Sequence, residues 1–179
     1  LLEKQRSGRG QIVDAAMFEG AALLASSVWA QMAMGWWRNE RGANLLDSGA
    51  HFYEVYATRD GRHMAVGAIE PQFYALVLKG LQLDAASLPA QMDRASWPAM
   101  KQQFAAIFRS RSRSEWESVF DGTDACVSPV LTPQEAAEHP HAKARQSFRQ
   151  TRNHVHPGPA PRFSRSGNAT PSDPPRLGQ

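Results

Sequence analysis

Residues 52–71 leave the chain little freedom in how it folds. Two apolar-rich runs, 52–57 and 63–68, flank Thr58-Arg59-Asp60-Gly61-Arg62. The Asp-Gly pair supplies the positive φ that a tight turn between antiparallel strands requires, so the stretch reads as a β-hairpin. By the two-residue period of a strand, Phe52, Glu54 and Tyr56 share one face and Tyr53 and Val55 the other. The second run ends at Glu70-Pro71. Proline keeps its predecessor extended and suits the first turn of a helix, which predicts a helix over 72–81.

Gly80 and Pro89 bound the next loop, and a second helix is expected over 97–108, with Met100, Phe104, Ile107 and Phe108 inward. Ser114-Glu115-Trp116-Glu117 is a capping-box pattern that predicts a third helix over 115–120, and 125–130 reads as a last strand. Two strands, three helices and a strand describe an α+β domain.

The flanks differ from this body. Leu1 to Arg6 resembles the end of a helix stopped at Gly8, and Gln11-Ile12-Val13-Asp14 a single strand without a sheet to join. A long helix is expected over 15–35, with Asp14 as its cap and apolar residues on most of its sides, so other protein must cover it. Up to Glu138 there are 13 Lys/Arg against 16 Asp/Glu, whereas from His139 onward seven basic residues meet one acid. The basic balance therefore belongs to the tail, which also holds seven of the 12 prolines; beyond a short helix at 134–138, residues from Asn153 are expected to be disordered or wrapped over another surface. One cysteine excludes an internal disulfide, and no uncharged apolar run reaches membrane-spanning length.

Glu70 is the candidate with the sharpest alternatives. A carboxylate at a helix start caps orphan N–H groups, but a strand end leading into a loop is also where chemistry is mounted. Gly67, three residues earlier, leaves room for a ligand near the backbone. Asn44, Asp47, His51, Tyr53 and Tyr56 form a second polar-aromatic patch in which His51 is a candidate base. Cys126, beside Val127, reads as a buried small hydrophobe. His139 and His141 lack the further ligands of a metal site, and Arg109, Arg111 and Arg113 lack the aromatic platforms of a nucleic-acid surface.

Several blocks carry a family resemblance. Gly10-Gln11-Ile12-Val13-Asp14-Ala15-Ala16-Met17 and Arg41-Gly42-Ala43-Asn44-Leu45-Leu46-Asp47-Ser48-Gly49-Ala50 resemble the family III CoA-transferases. The block from Asp60 to Tyr74, with Gly67-Ala68-Ile69-Glu70-Pro71 at its centre, is similar to the α-methylacyl-CoA racemase branch. The blocks Phe120 to Val130 and Glu138-His139-Pro140-His141 follow in the family's order.

The resemblance implies the small α+β domain of that fold, preceded by the end of a Rossmann-like large domain and a long linker helix. Residues 1–14 would close the first large-domain segment, 15–44 form the linker, 45–131 the small domain, and 132–179 the return linker and tail. It further implies an interlocked homodimer, cytoplasmic, without membrane or nucleic-acid partners. The implied reaction inverts the stereocentre beside the carbonyl of a 2-methylacyl-CoA thioester, with no metal and no cofactor except coenzyme A as the substrate's carrier.

Glu70 matches the family's small-domain glutamate, which pairs with a catalytic histidine. Leu46, Tyr53 and Ile69 match positions lining the acyl-CoA side of the site. The matching histidine and aspartate would lie upstream of Leu1, so the polypeptide is expected to be inactive alone. A CoA-transferase moving CoA between carboxylic acids is the alternative within the family. A non-catalytic interaction module using the 15–35 helix and the basic tail is the alternative outside it.

Overall fold

The computed structural model describes residues 1–150 and 154–167, and the chain divides into two compact units, residues 1–128 and 129–179. In the first, strands β1 (Tyr53–Ala57) and β2 (His63–Gly67) form the expected hairpin, with Tyr53 opposite Gly67 and Val55 opposite Ala65. A third strand, β3 (Val127–Pro129), completes the order β1-β2-β3. Helix α4 (Pro71–Gly80) leaves the end of β2, and α5 (Trp97–Phe108) and α6 (Arg113–Phe120) follow. Ahead of them lie α1 (Leu2–Ser7), α2 (Met17–Leu24) and α3 (Ser26–Ala33).

The three later helices cover one face of the sheet. Phe52, Tyr56, Met64 and Val66 meet Tyr74, Val77, Met100, Phe104, Phe108 and Trp116, all buried. Full burial of such a side chain stabilises by roughly 1.5–3 kcal/mol, so this layer holds the domain together. Tyr56 and Phe108 stack with their ring centroids 5.0 Å apart, and the Trp116 indole donates to the Phe108 carbonyl at 2.8 Å. The opposite face, with Tyr53, Val55, Ala65 and Gly67, is not buried. Along the free side of β1 the Tyr53 N–H donates to the Ala50 carbonyl at 3.1 Å, and the Val55 N–H to the Glu54 carboxylate at 2.8 Å.

Several local expectations change. The helix expected over 15–35 is two helices broken at Ala25, where the Ser26 hydroxyl donates to the Leu23 carbonyl and competes with the helical ladder. Asp14 does not cap it; the N-cap position is Ala16. Residues 11–14 join no strand ladder among the described residues. Helix α6 starts earlier than expected, because Ser112 and not Ser114 is its cap, with Glu115 closing the capping box. The earlier start lets Arg113 N–H donate to Asp60 at 3.2 Å and brings Glu115 to Arg59 at 2.7 Å, fastening the helix to the hairpin turn.

The second unit holds α7 (Pro133–Glu138), α8 (Pro140–Ala144) and a hairpin of β4 (Phe148–Gln150) and β5 (Val155–Pro157). Of the tail expected to be disordered or wrapped over another surface, residues 155–157 pair in this hairpin, and residues 153 and 168–179 lie outside the described ones.

Candidate functional site

The sequence Arg41-Gly42-Ala43-Asn44-Leu45-Leu46-Asp47 folds into a polar knot that leads the chain into the sheet. Asn44 is buried, and its side-chain amide donates to the Arg38 carbonyl at 3.0 Å and to Asp47 at 2.8 Å, while its side-chain oxygen accepts from Arg38 N–H at 2.8 Å. Asp47 accepts in turn from the backbone N–H groups of Asn44 and Gly42. Partial burial pushes the Asp47 carboxyl up, but these donors outweigh it and hold it below its ordinary range. The knot leaves Leu46 on the surface, 48% exposed.

The strand-to-helix corner is the second component. Glu70 is extended (φ −74°, ψ 139°), as the following proline demands, and occupies the N-cap position of α4. Its side chain makes no capping hydrogen bond, and the residue is exposed. The backbone carbonyls around it are already satisfied. The Gln91 side-chain amide donates to the Ala68 and Ile69 carbonyls at 3.0 and 2.9 Å, and the Glu70 carbonyl accepts from Phe73 and Tyr74. A carboxylate that does not cap its helix is left available to something else. Ile69, half-buried, packs against the core.

The open face of the sheet supplies the third component, a cleft of about 340 Å³ lined by Tyr53, Val55, Ala65, Gly67, Cys126 and Ser128. Its floor is shallow because Gly67 stands opposite Tyr53 and Ala65 opposite Val55. A Cβ at Gly67 would meet the Tyr53 ring and the Cys126 carbonyl at 3.9 Å, ordinary contact, so glycine there widens the cleft without being sterically required. Cys126 is exposed, contrary to the burial expected of it, because its positive φ of 52° turns it out of the strand direction just before β3. Its thiol is pushed up by partial burial and then by the charges of Glu70 and Asp124, which makes it a poor nucleophile.

Of the four residues singled out by the resemblance, Tyr53 lines the cleft. Leu46, Ile69 and Glu70 stand outside its lining. His51 is not available as a base: it is 1% exposed, and desolvation lowers its pKa to about 4. The exposure of Cys126 had no signal in its own residue type, although the Asp121-Gly122-Thr123-Asp124 turn preceding it placed a loop there. His139 is a helix cap, its Nδ1 accepting from the His141 backbone N–H at 3.2 Å. Among the described residues no group of three or more His, Cys, Asp or Glu gathers as metal ligands would. Arg111 lies over the Trp116 ring and Arg113 pairs with Glu117, so these two arginines are engaged within the domain.

Comparison with known proteins adds an independent line. Residues 1–179 match the sequence profile of CoA-transferase family III. The chain is 53% identical over 167 residues to the α-methylacyl-CoA racemase of Mus musculus, covering 93% of the chain and 44% of that protein. It is 50% identical over 162 residues to the Homo sapiens racemase, covering 90% and 42%. The chain thus spans less than half the length of these relatives. A hypothetical protein of Mycobacterium tuberculosis, known from its crystal structure, superposes with a TM-score of 0.68 over 91% of this chain and 44% of its own, at 13% identity, a likeness of fold alone.

Proposed function

The chain belongs to CoA-transferase family III, and on that premise we propose that it supplies the carboxylate side of an active site that epimerises 2-methylacyl-CoA thioesters. The high identity to two α-methylacyl-CoA racemases supports this chemistry over transfer of CoA, since a relative whose name is a succinyl-CoA–D-citramalate CoA-transferase is only 26% identical. The observation that carries the role of Glu70 is its uncommitted carboxylate at the strand-to-helix corner.

Conjugation to a thioester acidifies the α-proton, so a positioned base can remove it and an acid can return it to the other face. The negative charge that develops on the thioester oxygen must be stabilised by donors held in place. In this reading Glu70 faces a histidine, keeps the ring oriented, and favours its protonated form, which makes it the stronger base. Tyr53 and Leu46 border the acyl-CoA, and Ile69 fixes the corner. Coenzyme A acts only as the substrate's carrier, so no separate cofactor enters. The same reading carries an interlocked homodimer and a cytoplasmic protein. Among the described residues no helix is long and apolar enough to cross a membrane.

The test is α-proton exchange with solvent deuterium on a 2-methylacyl-CoA. The polypeptide alone is expected to show background exchange, and an enzyme completed with the family's large domain to show turnover. In that enzyme Glu70→Gln is expected to lower kcat by about 10²–10⁴-fold, the usual contribution of acid–base machinery, with little change in CoA affinity. Equal losses in turnover and binding would make Glu70 structural, and a trapped acyl-enzyme would favour the transferase.

A further inference from the structure

One buried hydrogen bond joins the two segments on which the candidate residues sit. His51 lies between the Asn44 knot and β1, and its Nε2 is 2.8 Å from the Tyr74 hydroxyl. Phe52 and Phe104 meet the imidazole edge-on, each with ring centroids 5.1 Å away. The other ring nitrogen, Nδ1, has no hydrogen-bond partner among the described residues. An apolar ring would fill this space without stranding a nitrogen, so the imidazole is explained by the single bond it makes.

Tyr74 stands one turn into α4. Its N–H and that of Phe73 donate to the Glu70 carbonyl at 3.0 and 3.1 Å. On the other side, the Phe52 carbonyl accepts from Ala68 N–H at 3.0 Å, and the Tyr56 hydroxyl donates to the His51 carbonyl at 2.6 Å. The ionisable side chains on the elements around the ring are spoken for: Glu54 of β1 pairs with Lys101 of α5 at 2.7 Å, Asp47 belongs to the Asn44 knot, and the Tyr74 hydroxyl is held protonated by burial.

From this arrangement we infer that His51 and Tyr74 are a positioning pair for Glu70, tying the first turn of α4 to the chain entering β1 and so fixing where the carboxylate leaves the corner. Neither residue touches substrate. The catalytic consequence rests on the proposed racemisation; the positioning itself does not.

Amide hydrogen exchange on the full chain tests the positioning directly. Tyr74→Phe keeps the ring and removes the bond. It is expected to speed exchange of the amides at positions 73 and 74 about ten-fold, while the amides of Phe104 and Phe108 in α5 change less than about two-fold. A uniform rise in α4 and α5, or no rise, would overturn the inference. A second measurement needs no variant. The His51 Cε1–H resonance is expected to titrate with a midpoint near 4, with the Phe73 amide shift following the same curve. A midpoint near the ordinary value of about 6.5, or a Phe73 amide that ignores it, would overturn the inference as well. In the completed enzyme Tyr74→Phe is expected to lower kcat about ten-fold with KM within about two-fold. If the completed wild-type enzyme shows no α-proton exchange, the racemase reading falls, and the two spectroscopic measurements still decide the positioning.

Discussion

His51 shows how a single residue reports on its surroundings through protons. Its folded pKa of about 4 lies below the 6.5 it has when solvated. The unfolded chain therefore binds a proton between these values that the folded chain refuses, and stability falls as pH drops through that window. Stability from this group is complete above about pH 6.5, and about 3 kcal/mol is lost by the time pH reaches about 4. Asp47 is depressed instead, so its contribution declines only below the ordinary carboxylate range and leaves the upper window to the histidine. Urea unfolding at pH 7 and at pH 4.5 is expected to show the loss in the wild type and a flatter profile in His51→Gln. The residue's identity gave no hint of this role, because the partner that defines it, Tyr74, is 23 positions away.

Helices and strands were legible where local chemistry admitted one answer. The Asp60-Gly61 turn, the proline at the start of α4 and the apolar spacing of α5 each specify an element without reference to the rest of the chain. The start of α6 did not, because two overlapping Ser-x-x-Glu patterns compete, and the choice is made by Asp60 and Arg59 reaching over from the hairpin. Cys126 was misplaced for a related reason, since a positive φ at a non-glycine residue is imposed by the turn around it. Glu70 was recognised as special, but only its observed side chain separates a free carboxylate from a cap.

Packing between elements also reverses a familiar rule. Replacing glycine by alanine within a helix ordinarily stabilises by about 0.5–1 kcal/mol. At Gly80, the last residue of α4, a Cβ would press into the Phe120 ring, which is 5% exposed and stacked on Trp116. Gly80→Ala is therefore expected to destabilise by about 1–2 kcal/mol, a balance of overpacking against propensity. Thermal unfolding of the variant checks the sign.

The whole molecule is unevenly invested. Its packing lies in the sheet and the helices α4 to α6, while α1, α2 and α3 contain no buried residue. Phe18, Leu24 and Trp29 are 85%, 88% and 63% exposed. Folding of the body gains nothing from them, so the triple substitution Phe18→Ser, Leu24→Ser, Trp29→Gln is expected to leave unfolding free energy within about 0.5 kcal/mol of wild type in urea titration. So much apolar surface is more than a solitary domain ordinarily presents to water, and the interlocked homodimer proposed above is one way to cover it.

The border of the sheet limits how any such assembly can form. A bare outer strand offers neighbouring chains a row of open donors, and stacking by continuation is its usual hazard. In β1 the donors of Tyr53 and Val55 are already taken, by Ala50 and by the chain's own Glu54. At those two positions continuation of the sheet is refused, while the broad side, on which Tyr53 and Gly67 lie, stays open to a neighbour laid flat against it.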